Sequence, residues 1–147
     1  MKIKEVLPND LENIFELEEI VFKEDAFEKN LIKKLIKKNF LFLKLEKNND
    51  DNELIGFVIV LKDREDTANI VNFLINPNYQ NKGHGSFLLK FTIDNIKIYR
   101  SIKKIILNVK INSIAIYLYQ KFNFRIIEKI DNYYRSTEAA YLMELDI

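Results

Sequence analysis

No cysteine occurs among the 147 residues, which excludes disulfide frameworks, thiolate metal sites, cysteine nucleophiles and redox chemistry at sulfur. Histidine occurs once, at His84. One imidazole does not build a metal centre, so no metal is expected, and any Ser-His-Asp scheme would have to rest on that residue alone. Neither sign of charge is in excess: 23 Lys+Arg against 22 Asp+Glu give +1 at pH 7, so no global field draws the chain to nucleic acid or an anionic membrane. Neither is expected as a partner. Long hydrophobic runs are also missing. The longest strongly apolar stretch, Leu54 to Leu61, is too short to cross a bilayer, and the N-terminus lacks the apolar core of a signal peptide. The cytoplasm is the expected location. Proline occurs twice and glycine three times, at Gly56, Gly83 and Gly85; on so sparse a background, two glycines two residues apart carry information.

What is present suits a compact domain. Hydrophobic residues make up 48% and aromatic residues 12%, enough to offset chain entropy without staples, and the length matches one domain over residues 1–147. Lys2 to Leu7 alternates like a strand closed by Pro8, and Asn9 with Glu12 forms a capping-box pattern before a helix carrying Leu11, Ile14 and Phe15. Asp25 with Glu28 gives a second such signal before Leu31, Ile32, Leu35 and Ile36. Phe40 to Glu46, Leu54 to Lys62 and Ala68 to Ile75 read as a strand meander ended by Asn76-Pro77. Phe87 to Ile102 then supplies about four helical turns, Lys104 to Val109 a short strand and Ser113 to Lys121 a short helix. Phe124 to Ile130 and Ala139 to Leu145 form a terminal hairpin. The order β-α-α-β-β-β-α-β-α-β-β implies an α+β fold. Its twisted, mixed but mostly antiparallel sheet of about seven strands is flanked by four helices, with one parallel crossover between Ala68 and Val109.

The polar loop Gln80-Asn81-Lys82-Gly83-His84-Gly85 lies between a strand and a helix. Glycines there let successive amides turn toward one point at the positive end of a helix dipole, which suits an anion, and Lys82 adds charge. Glycines serving only a tight turn explain the same residues. Two other phosphate loops fail: a dinucleotide fingerprint needs a small residue where Leu88 stands, and a P-loop needs its lysine after the second glycine, whereas Lys82 precedes Gly83. NAD and ATP lose ground accordingly.

The remaining pattern, Q-x-x-G-x-G preceded by Val71-Asn72-Phe73-Leu74-Ile75-Asn76-Pro77, resembles the acetyl-CoA pyrophosphate loop of the GNAT superfamily of N-acetyltransferases. The resemblance continues. Asn112, then Ala115-Ile116-Tyr117-Leu118-Tyr119, then Asn123-Phe124 is similar to the later signature of that family, with Asn123 in place of a glycine; asparagine tolerates left-handed geometry best after glycine. The ending Asn132-Tyr133-Tyr134 with Glu138-Ala139 is similar to the subgroup that acetylates protein N-termini, the ribosomal-protein alanine acetyltransferases and their archaeal and eukaryotic relatives.

The resemblance implies an acetyl-CoA-dependent N-acetyltransferase acting by direct attack in a ternary complex, on the α-amine of a protein N-terminus. It assigns the cofactor to the backbone of Phe73, Leu74 and Ile75, to the loop Gln80, Asn81, Lys82, Gly83, His84, Gly85 and Ser86, and to Asn112, which equally suits a helix N-cap. It makes Tyr119 the general acid, an aromatic that could otherwise be ordinary core, and sets Tyr133 and Tyr134 beside the substrate with the region Phe22 to Phe27. The subgroup's basic glutamate is replaced by Asn108, which cannot accept a proton. An α-amine is already about 10% neutral at pH 7 and asks little of a base, so a water held by Glu18, Glu19, Asp131 or Glu138 would suffice, although each reads by default as a solvated charge. A small amine such as a polyamine, amino acid or antibiotic is the alternative substrate, and a non-catalytic acyl-CoA-binding module the alternative function. Monomer and homodimer are both open. Gly56 fits close approach of another chain segment or a bulge, His84 reads as an exposed loop residue, and Lys33, Lys34, Lys37 and Lys38 read as a solvated helix face.

Overall fold

A computed structural model describes all 147 residues. In chain order the elements are β1 (Lys2–Glu5), α1 (Leu11–Phe22), α2 (Lys29–Lys37), β2 (Leu41–Glu46), β3 (Leu54–Arg64), β4 (Thr67–Ile75), α3 (His84–Lys97), β5 (Lys104–Lys110), α4 (Ala115–Lys121), β6 (Arg125–Ile130) and β7 (Ala140–Asp146). The seven strands form one sheet in the order β1-β2-β3-β4-β5-β7-β6. Only β4 and β5 pair in parallel, so the expected α+β order and its single crossover are observed.

Strand β3 shows why the apolar run is where it is. It bonds to β2 on one edge and β4 on the other, both its faces are covered, and residues 55–60 are all buried. Helices α1 and α2 cover one face, where Ile14, Leu17 and Ile32 meet Phe57, Ile59 and Leu74. Helices α3 and α4 cover the other, where Leu88, Leu89, Ile96 and Tyr119 join Val58, Ile105 and Met143 in the larger cluster. Burying these side chains at about 25 cal/mol per Å² of apolar surface is the main driving force for the layered arrangement. Lys33, Lys34 and Lys37 lie exposed on the outer side of α2, away from the buried Ile32, as the lysine spacing implied, while Lys38, also exposed, is the extended residue that ends the helix. No helix is long and apolar enough to cross a membrane.

Two capping expectations are corrected. Asp10, not Asn9, closes the entry to α1: its Oδ2 accepts the Leu7 amide at 2.7 Å across a 3-10 turn at Pro8–Asp10. Glu28 precedes α2 without a side-chain cap bond, and Asp25 is used elsewhere. Helix α3 starts at His84 and ends at Lys97, so Ile98 and Ile102 lie in the turns after it.

Two irregularities along the β3–β4 ladder shape the site. Ile59 pairs with Asn72 but Val60 pairs with Ile70, so Val71 is an extra residue, a β-bulge that exchanges the faces of everything beyond it. Ala68 and Ile70 point toward α3, whereas Leu74, past the bulge, points toward α1. Gly56 sits opposite Ile75, where a Cβ would lie 2.5 Å from the Leu74 carbonyl oxygen. Close approach of backbone therefore requires glycine there.

Candidate active site

The parallel ladder between β4 and β5 ends at Ile70 and Leu107, although both strands run on, to Ile75 and Lys110. Past the bulge the two strands diverge, and residues 71–75, with Asn72 to Ile75 still paired with β3 on one edge, face a cleft on the other. At its outer end Asn81 and Gly83 take positive φ, 62° and 84°. None of the amides from Asn81 to Ser86 donates to a backbone carbonyl, so six consecutive donors are left for an outside acceptor at the start of α3. Gly83 is needed for its φ alone, since nothing lies within 4 Å of its Cβ position; at Gly85 a Cβ would lie 3.3 Å from the Leu118 side chain, which would have to shift by a few tenths of an ångström. A groove of about 360 Å³ joins these amides to Phe73, Leu74 and Ile75 on one wall and Ser113, Ala115 and Leu118 on the other. Free donors for a diphosphate, followed by an open strand edge for amide groups, fit coenzyme A.

The cleft continues inward as a narrower cavity of about 140 Å³, with Glu18, Asp25, Asn72, Asn108, Lys110, Tyr119 and Tyr134 on its wall. Glu18 is 1% exposed. Its carboxylate accepts the Phe27 amide at 2.8 Å and the Asn72 side-chain amide at 2.5 Å. The bulge at Val71 is what turns Asn72 toward α1 and makes this bond possible. Burial raises the Glu18 carboxyl above its ordinary value, against the opposing effect of the two hydrogen bonds. Tyr119 packs edge-on against Phe73 and Phe124 at 6.1 and 5.8 Å. Burial pushes its hydroxyl far above the usual phenol range, and Tyr134 adds to the shift. Tyr134 is raised as well, by burial and then by the charges near it. Asn108 Oδ1 is buried without a hydrogen-bond partner.

Asp25 ties the mouth together. Its carboxylate accepts the Ser136 amide at 3.0 Å and hydroxyl at 2.8 Å and pairs with Lys110 at 2.6 Å. Burial alone would raise this carboxyl, but the bonds from Lys110 and Ser136 outweigh it and hold it below the usual range. Lys110 also reaches Glu138 at 3.5 Å and lies 5.3 Å over the Tyr134 ring. The α1–α2 loop and the β6–β7 loop are thereby joined over the cavity.

The expected cofactor residues fall into two groups. Phe73, Leu74, Ile75, Gln80, Asn81, Gly83, Gly85 and Ser86 line the groove. Lys82, His84 and Asn112 do not. Lys82 lies 5.7 Å over the Tyr79 ring. His84, expected as an exposed loop residue, opens α3 half-buried, with Nδ1 buried and unpartnered. Asn112 is exposed and caps nothing: Ile114 holds the N-cap position of α4, and it is Ser113 whose Oγ accepts the Ala115 amide at 3.1 Å. Tyr134 lines the inner cavity, and Tyr133 packs on it at 4.9 Å while facing an outer pocket. Asn123 has φ 72°, the geometry its place in the signature requires.

The model of the Acetyltransferase (GNAT) family matches residues 9–124. The chain belongs to the GNAT acetyltransferase family. Among GNAT relatives, a [ribosomal protein bS18]-alanine N-acetyltransferase of Haemophilus influenzae is 35% identical over 95 residues, 65% of this chain and 62% of the relative. An N-alpha-acetyltransferase of Saccharolobus solfataricus is 31% identical over 77 residues, 52% of this chain and 46% of the relative. These matches thus span about half to three-fifths of the relatives' lengths. The crystal structure of the Escherichia coli ribosomal-protein-S18-alanine N-acetyltransferase superposes with a TM-score of 0.85 at 25% identity, covering 99% of this chain and 93% of that one.

The GNAT signatures of this chain lead to the groove but not to the rest of the site. Lys110 and Ser136 belong to no motif, Asp25 has the pattern of a helix cap, and Glu18 that of a solvated charge. A polar Asn72 inside Val71-Asn72-Phe73-Leu74 is the one visible signal of the inner cavity, since a buried strand seldom carries an unpaired amide.

Proposed function

We propose that this chain is an acetyl-CoA-dependent N-acetyltransferase whose acceptor is the α-amine of a protein N-terminus, attacking directly in a ternary complex. The observation that carries the proposal is the continuity of the free amides at 81–86, the open edge of β4 and a buried cavity holding Tyr119. The names of the relatives support the choice of substrate.

Bound acetyl-CoA supplies an activated thioester. The protein does the rest by placement and by proton supply. The loop amides and the α3 dipole neutralise a diphosphate, with Gly83 and Gly85 keeping that approach open. The free edge of Phe73 to Ile75 aligns an extended, amide-bearing arm as an added strand. Burial disfavours the phenolate, so the Tyr119 hydroxyl holds its proton in the resting site, and its place on the cavity wall makes it the group positioned to donate to a departing sulfur anion. Tyr134 and Tyr133, tied down through Asp25 and Ser136, form the wall where the first residues of a peptide enter.

Residues 1–147 act in this reading as one catalytic domain, in the cytoplasm, as a monomer or homodimer. Purified protein incubated with acetyl-CoA and a panel of free-amine peptides, polyamines and amino acids, read by mass, tests it. A gain of one acetyl group on peptide α-amines is expected. Acetylation of small amines with every peptide untouched would move the substrate to the alternative class, and no transfer at all would leave an acyl-CoA-binding module.

A further inference from the structure

The cavity holds a proton donor, Tyr119, but the strand position facing it offers only Asn108, which cannot accept a proton. Every other ionisable group on the wall is committed. Asp25 and Lys110 neutralise each other at 2.6 Å, and Tyr119 and Tyr134 are both held protonated by burial. Glu18 alone carries no cationic partner. A carboxylate offers about four acceptor sites, and its two bonds, from Phe27 and Asn72, leave capacity on both oxygens. These bonds fix the carboxylate on the α1 side of the cavity, while Asn108 Oδ1 arrives from β5 with no donor to satisfy it.

We propose that Glu18 takes the proton shed by the substrate amine, and that Asn108 Oδ1 orients that amine by accepting one of its N–H bonds. This rests on the acetyltransferase reading above. In the transfer the amine lone pair forms the new C–N bond, and the thioester C–S bond breaks with its electrons on sulfur. Sulfur takes the Tyr119 hydroxyl proton, and the nitrogen gives its proton to Glu18. Water in the cavity then returns that proton from Glu18 to the Tyr119 oxygen, and both side chains are restored. Desolvation suits Glu18 to the task, since a carboxyl raised toward neutrality is a stronger base than a solvated one. A role limited to holding the Phe27 amide and Asn72 in place would also suffer in E18Q, because each oxygen of Glu18 accepts one of those bonds and a glutamine offers a single acceptor oxygen; recovery by a carboxylate placed elsewhere is what such a role would not give.

Two measurements separate these roles. In kinetics on a peptide that the unaltered protein acetylates, E18Q lowers kcat by roughly tenfold or more, with the KM for acetyl-CoA changed less than about threefold. In E18Q/N108E the carboxylate moves to the opposite wall and much of kcat returns. In 13C NMR of labelled protein without cofactor, a free-amine peptide shifts the Glu18 carboxyl resonance and the same peptide already acetylated at its N-terminus does not. Retained kcat in E18Q overturns the proposal. So does a loss in a variant that melts cooperatively near the unaltered protein but is not recovered by N108E, or a Glu18 resonance blind to the free amine. An unaltered protein that acetylates no peptide is a different failure: it removes the acetyltransferase reading itself and this inference with it.

Discussion

At the scale of single residues, the site depends on side chains held in unfavourable surroundings for a purpose. Tyr119 is the clearest. Its ring is core and its hydroxyl faces the cavity, so Y119F keeps the packing against Phe73 and Phe124 and removes only the proton; kcat should fall on the order of 10²-fold with the melting temperature nearly unchanged. Preserved kcat would remove Tyr119 from its role. Glu18 makes a prediction in the absence of any substrate. Its folded carboxyl is raised, so the folded state holds more protons than the unfolded one from about the ordinary value of 4.5 upward. Stability contributed by the neutral form is present below that value and is lost as pH rises through the raised one. Denaturant melts of E18Q should lack this decline. Gly83 supplies φ 84° with no contact at its Cβ position, so G83A costs about 1 kcal/mol from left-handed geometry, and coenzyme A affinity drops with it because the amides turn away.

At the scale of elements, the cleft comes from one extra residue in β4 and one tie between loops. The bulge at Val71 was not legible in the sequence, because period-2 alternation registers faces but not the partner strand that leaves a residue over. The motif of the α3 loop was legible, since three glycines in the whole chain make their spacing conspicuous. Asp25 mimics a helix cap for a reason that generalises: an acidic residue ahead of a helix has the same appearance whether it caps that helix or reaches Ser136 across the fold. The tie has an opposite pH dependence to that of Glu18. Held below its ordinary value near 3.8, the Asp25 carboxyl contributes stability above that pH and loses it as pH falls through the lowered value. D25N should therefore cost about 1–3 kcal/mol at neutral pH and progressively less in acid, speed proteolysis within residues 131–139, and raise the KM for peptide more than it lowers kcat. Equal KM would separate the loop tie from substrate binding.

At the scale of the molecule, two layers of helices clamp a sheet whose central strands separate along half their length, leaving a passage from the α3 amides to the buried carboxylate of Glu18. Element order and both faces of the core could be read from hydrophobic spacing, because burial on both sides of β3 writes itself as an unbroken apolar run. The inner cavity could not, because it is assembled from residues 18, 25, 72, 108 and 134, which only tertiary folding brings together. Everything turns on whether coenzyme A occupies that passage. Titrating 15N-labelled protein with coenzyme A, and separately with NAD and ATP, tests this directly. Coenzyme A is expected to shift the amide resonances of residues 81–86 and 71–75 in a single saturable event, while NAD and ATP leave residues 71–75 unmoved. Saturating coenzyme A with the 81–86 amides unchanged would contradict it.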